Sequence, residues 1–162
     1  MKKFELTTES ITNAAGKKLF RIKALVEFGN VKAGELGGYV EKEGNISQDG
    51  NAWVAGNACV DGNATVDGNA TVSGNAWVSG NAEVSGNTDY ALAQGFGTEF
   101  RCTTFYRGKN KKIMVNCGCF HGDLEEFRKQ VKETRSGKIA KEYLMIADLM
   151  EYHFASEDSD DE

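Results

Sequence analysis

The residues best equipped for chemistry in this chain are Cys102, Cys117, Cys119 and His121. On an extended strand alternate side chains share a face, so Cys117, Cys119 and His121 would project together, with Cys102 approaching from a partner strand. Thiolates and an imidazole are ligands of the kind that hold Zn²⁺. A zinc knuckle normally closes around a turn, however, and a Cys-x-Cys-x-His run on a strand supplies none. Buried thiols acting as small hydrophobes are therefore favoured over a metal site, and no metal or other cofactor is expected. His121 and His153 are the only imidazoles that could serve as general bases. The neighbouring carboxylates Glu125 and Glu126 fall in the first turn of an expected helix, where the dipole accounts for them without acid–base work. No catalytic residue is assigned.

Other side chains suit recognition rather than reaction. Trp53 and Trp77 occupy positions expected to point outward, and exposed tryptophan is costly unless covered and is enriched at binding hot spots. Either another part of the same chain covers them or a subunit contact does. A basic set, Lys109, Lys111, Lys112, Arg128 and Lys129, would suit a small anionic ligand near a subunit junction.

The element that must carry the tryptophans is an internal repeat. Glycine recurs every six residues from Gly38 to Gly86, and asparagine follows it from Asn45 to Asn87. Between these pairs stand Ala52-Trp53-Val54, Ala58-Cys59-Val60, Ala64-Thr65-Val66, Ala70-Thr71-Val72, Ala76-Trp77-Val78 and Ala82-Glu83-Val84. Read as strand, Ala and Val face inward and the middle residue outward. Gly-Asn tolerates the positive φ of a sharp corner. Three hexads make an 18-residue coil, and columns at that spacing match in type: Val54 with Val72, Val60 with Val78, Val66 with Val84. A helix is excluded, because Gly-Asn at period six breaks any 3.6-residue pattern.

The flanks read as caps. Phe4-Glu5-Leu6 and residues 19–26 are expected strands around a polar turn, and residues 100–106 and 112–119 a further hairpin. Asp123 and Glu126 form a capping box for a helix with Leu124, Phe127 and Val131 on one face. A second helix follows Gly137, with Ile139, Tyr143, Ile146, Met150 and Tyr152 or His153 near one stripe. The expected divisions are 1–37 as a β cap, 38–91 as the repeat, 92–155 as an α+β (β-β-α-α) module and 156–162 as a disordered acidic tail.

Charge follows these divisions: residues 1–42 carry net +3, 43–100 carry −7 with no Lys or Arg, 101–155 carry +4 and 156–162 carry −5. The overall −5 makes direct duplex nucleic-acid binding an unexpected activity. No apolar run approaches the ~18 residues of a membrane span and no signal-peptide core follows Met1, so a cytoplasmic chain with no membrane partner is expected. Proline is absent, which excludes rigid Pro-rich linkers.

The run Val60-Asp61-Gly62-Asn63-Ala64-Thr65 and its neighbours resemble the hexapeptide-repeat pattern of left-handed parallel β-helix proteins. The resemblance covers residues 38–91 and implies a mainly β fold, a short left-handed parallel β-helix of about three coils, assembled as a homotrimer. Residues 19–54 resemble the N-terminal portion of polymer-forming-type proteins from phages and bacteria. Asn116-Cys117-Gly118-Cys119-Phe120-His121-Gly122, followed by Leu124-Glu125-Glu126-Phe127, resembles a phage-type C-terminal module. Many hexapeptide-repeat proteins are acyltransferases with a histidine base between subunits, but this repeat contains no histidine, which sets that activity aside. The function expected is that of a non-enzymatic phage-type accessory protein that binds a host macromolecule, a protein, and inhibits a bacterial defence component such as a restriction or CRISPR protein. A small-ligand or nucleotide sponge and a virion or assembly component are the alternatives.

Overall fold

In the computed structural model every residue is described except Met1, Ala14, Phe100, Lys109, Asn110, Cys119 and residues 156–162. The expected acidic tail, Lys109 of the basic set and Cys119 of the cysteine set therefore lie outside the described residues.

The N-terminal strands β1 (Phe4–Thr12) and β2 (Lys18–Ala24) form an antiparallel hairpin, and β3 (Leu36–Val40) pairs antiparallel with β2. Each hexad then contributes a two-residue strand: β4 (Trp53–Val54), β5 (Cys59–Val60), β6 (Thr65–Val66), β7 (Thr71–Val72), β8 (Trp77–Val78) and β9 (Glu83–Val84). Hexads three apart pair in parallel, with Val54 opposite Val72, Val60 opposite Val78 and Val66 opposite Val84. All of these valines, and the alanines Ala52, Ala58, Ala64 and Ala70, are fully buried. The corners are made by glycine in the left-handed region. At Gly68 φ is +60°, and a Cβ there would stand 2.7 Å from the Ser85 carbonyl oxygen, so both the turn and the close approach require glycine.

The expected fold class, a short left-handed parallel β-helix of about three coils, needs correction. Among the described residues no closed or continuous coil of sheet forms. The hexads make separate pieces, β4 with β7 and β6 with β9, while β5 and β8 join a five-stranded sheet in the order β1-β2-β3-β5-β8. Two physical reasons account for this. Strands of two residues between sharp corners make short ladders that do not carry round the turn, and the antiparallel N-terminal strands take over one face through β3. Column spacing in the sequence reports which residues stack, not the hand or closure of the stack.

The expected β-β-α-α order is also too short. Four strands, β10 (Tyr90–Phe96), β11 (Arg101–Arg107), β12 (Ile113–Cys117) and β13 (Phe120–Asp123), form an antiparallel meander before α1 (Leu124–Thr134) and α2 (Gly137–His153). Strand alternation gives this sheet two occupied faces. Tyr106 enters the same core as the hexad valines, whereas Phe105 and Val115 pack with Leu124, Phe127, Val131, Tyr143 and Met150 of the helices. Asp123 caps α1 as expected, accepting the Glu126 N–H at 2.8 Å, and the backbone hydrogen bond lowers its carboxyl pKa below the usual value.

A stack of short strands exposes unpaired backbone at both ends, an open template for aggregation. Here side chains close it. At the first end, the buried Lys3 Nζ donates to the Ala52 carbonyl at 2.7 Å, and Asn45 Nδ2 donates to the Ala64 carbonyl at 2.8 Å. At the other end, Thr104 Oγ1 accepts the Trp77 N–H at 2.9 Å, Asn116 Nδ2 donates to the Trp77 carbonyl at 2.8 Å, and Tyr90 Oη donates to the Thr71 carbonyl at 2.6 Å.

Candidate functional site

The two tryptophans meet different fates. Trp53 is 2 % exposed, covered edge-on by Phe4 and Phe28 at centroid distances of 6.4 and 5.3 Å. The N-terminal strands and the loop after them thus cover it within the chain. Trp77 is half-buried on β8, with its indole N–H donating to Asp61 Oδ2 at 3.1 Å.

Around Trp77 lies a cleft of about 280 Å³ lined by Ala15, Lys17, Asp61, Gly62, Trp77, Ser79, Gly80 and His121. It forms where the β1–β2 turn, two hexad corners and β13 come together. Asp61 is 3 % exposed, and its Oδ2 accepts from both Trp77 Nε1 and Asn13 Nδ2, the latter at 2.5 Å. His121 Nδ1 is hydrogen-bonded to Asn116 Oδ1. The Asn116 amide nitrogen donates to the Trp77 carbonyl and to Ser79 Oγ at 3.1 Å, so its oxygen is the acceptor. In the neutral ring this arrangement places the proton on Nδ1 and the lone pair on Nε2. Next to the cleft, the Cys59 thiol is pushed up to about 11, first by burial and then by the nearby Asp61 carboxylate.

Asp61, Ser79 and His121 are the residue types of a hydrolytic triad, but the connections differ. No hydrogen bond joins Ser79 to His121 or His121 to Asp61 among the described residues; each is held by an amide, a phenol or an indole instead. A triad needs the base on the nucleophile and the acid on the base. Accordingly, turnover of p-nitrophenyl acetate should not exceed the background of the same protein carrying Ser79→Ala, measured by release of nitrophenol. A serine-dependent rate would contradict this wiring.

The cysteine and histidine set does not assemble as a strand would place it. A turn at Gly118 separates β12 from β13, pairing Cys117 with Phe120 and Asn116 with His121. Opposite residues share a face, so His121 lies on the hexad side with Asn116, and Cys117 on the other. Cys117 lines a pocket of about 130 Å³ with Arg101, Phe127, Arg135 and Tyr143 and accepts from Thr103 Oγ1 at 3.1 Å. Among the described residues no three His, Cys, Asp or Glu side chains converge on a metal-sized position.

The basic set is dispersed. Arg128 is held by Glu125, Asp148 and Glu151 at 3.2, 2.9 and 2.6 Å, which ties α1 to α2. Lys112 pairs with Asp123 at 3.1 Å. Lys111, with φ +63°, and Lys129 are exposed.

A second apolar face stands on α2, and it takes Tyr152 out of the expected inward stripe: at 82 % exposed it points away from Tyr143 and Met150. Tyr143, Ala147 and Met150 are buried against the rest of the module, while Met145, Leu149 and Tyr152 on the opposite side are 61, 59 and 82 % exposed. Their spacing of four and three residues is itself a helical stripe, visible in the sequence once α2 is seen to carry two apolar faces rather than one. Lys138 and Lys141 flank the stripe toward its N-terminal end, and Asp148 and Glu151 toward its C-terminal end. Among the described residues no helix is long and apolar enough to cross a membrane.

No family model matches the chain, and no curated protein matches it.

Proposed function

We propose that this chain is a non-enzymatic binding protein whose α2 stripe docks onto a partner protein. The observation that carries the reading is the row Met145, Leu149 and Tyr152, a helix face with apolar anchors that the described residues leave exposed. The partner that fits presents an apolar groove that is acidic where it meets Lys138 and Lys141, since Asp148 and Glu151 are already taken by Arg128. The burial of Trp53 and the internal pairing of Arg128 take both away from the expected interaction set, which supports moving that role to the helix. Phage-type action in the host cytoplasm, by blocking a defence protein, is the biological setting we assign on the resemblance alone, together with self-assembly as a trimer.

The test uses Met145→Glu with Leu149→Glu on one chain. Both side chains are exposed, so the melting temperature should stay within a few degrees of wild type, while affinity for a purified captured partner falls by about a hundredfold or more. Light scattering on both proteins separates the outcomes: about three chains in each supports docking of a separate partner. A wild-type oligomer that dissociates in the variant would make the stripe a contact between copies, and unchanged partner affinity would remove it from the interface.

A further inference from the structure

We propose that the cleft beside Trp77 is a binding site for a guanidinium group, a reading that stands independently of the α2 face. Three observations point to that chemistry. The Asp61 carboxylate is nine-tenths or more buried and lines the cleft, yet only one of its oxygens is engaged. Oδ2 accepts both available donors, from Asn13 and Trp77, and Oδ1 accepts from no donor among the described residues. With Asp61 lining the cleft, that oxygen is open to a charged N–H donor from outside, which would replace water with a charge-assisted hydrogen bond.

The second acceptor is His121 Nε2. In the neutral ring Asn116 holds the proton on Nδ1, and Gly80, whose missing Cβ would stand 4.0 Å from Nε2, keeps that corner of the cleft open. The third observation is the indole of Trp77, which lines the same space and is locked in place by its bond to Asp61. A cation stacks on an indole face, and a planar guanidinium also offers several N–H donors in one plane. A carboxylate, an imidazole nitrogen and an indole around one cleft thus match a flat, cationic, multi-donor group better than an anion. Lys17, the lysine among the described lining residues, is drawn toward Glu41 at 3.7 Å.

The same group could arrive as a free small molecule or as an arginine side chain of a protein. Binding is read by tryptophan fluorescence, to which buried Trp53 contributes a constant background, and by the His121 ring signals in NMR. The probes are methylguanidinium, butylammonium and the tripeptide Gly-Arg-Gly. Saturable binding of methylguanidinium is expected, weakened about tenfold or more by Asp61→Asn. That variant keeps an acceptor for Asn13 and Trp77 but turns a donor into the cleft. Should Asp61→Asn fail to fold, His121→Phe at an exposed position provides the second variant, expected to weaken binding about fivefold or more. A tripeptide about tenfold tighter than methylguanidinium assigns the site to a protein side chain, and equal affinity assigns it to a small molecule. Absence of saturation to about 50 mM methylguanidinium, butylammonium binding as tightly, or a folded His121→Phe that binds as wild type overturns the proposal.

Discussion

Val66→Asp should abolish the cooperative unfolding transition of the whole hexad block. Val66 is fully buried, pairs with Val84 on one side and bridges Ile46 on the other, so it sits between layers with no polar group directed at it. An ionised carboxylate there has neither water nor a partner, at a cost of several kcal/mol against a total domain stability of about 5–15 kcal/mol. The neighbouring Thr65→Lys is the matched control. Thr65 is only partly buried and lies opposite Glu83, so a lysine would meet an opposite charge across the strand pair. Urea denaturation should show a wild-type midpoint for Thr65→Lys and no folded baseline for Val66→Asp. Equal loss in both would mean that inward and outward positions are exchanged.

Trp53→Ala should cost about 3–5 kcal/mol, the loss for emptying a fully buried aromatic site. The ring supports Phe4 and Phe28, and Gly37 packs against it so closely that a Cβ there would lie 2.7 Å from Cζ2. Its indole N–H is buried without an acceptor among the described residues. Trp53→Phe therefore removes an unpaired donor along with some volume, and should cost only about 1–2 kcal/mol. Trp77→Ala should cost less than Trp53→Ala, because Trp77 is half-exposed. Thermal melts of the three variants give the ranking. A Trp53→Phe variant as unstable as Trp53→Ala would show that the indole nitrogen has a partner.

These two results turn on what could and could not be read from the chain. Inward Ala and Val, the Gly-Asn corners and the 18-residue columns were legible because strand alternation and turn chemistry are local. Sheet closure was not, since it depends on how the N-terminal strands claim β3 and how short each ladder is. His121 illustrates the same divide for the cleft. It lies 60 residues from Asp61 in the chain, outside the repeat, and reaches the hexads only because β12 and β13 turn at Gly118. The expected single strand through Cys117, Cys119 and His121 overlooked that glycine, whose φ of +58° is the local sign of the turn. On α2, an amphipathic pattern with a single apolar stripe draws Tyr152 inward with Met150, whereas the helix carries a second stripe of Met145, Leu149 and Tyr152 on its opposite side.

The side-chain plugs at the two ends of the hexads have a consequence for how such a chain can change length. Each plug is matched to one particular edge: Lys3 to Ala52, Asn45 to Ala64, Tyr90 to Thr71, Thr104 and Asn116 to Trp77. Adding or deleting one hexad would shift every later unit by one strand, so that Thr104 and Asn116 met a different strand from the one that now carries Trp77. Adding three would restore the phase and only move the second plug one layer outward. Insertions and deletions in this region are thus filtered by arithmetic, modulo eighteen, and the growth of the repeat is quantised by residues that lie outside it.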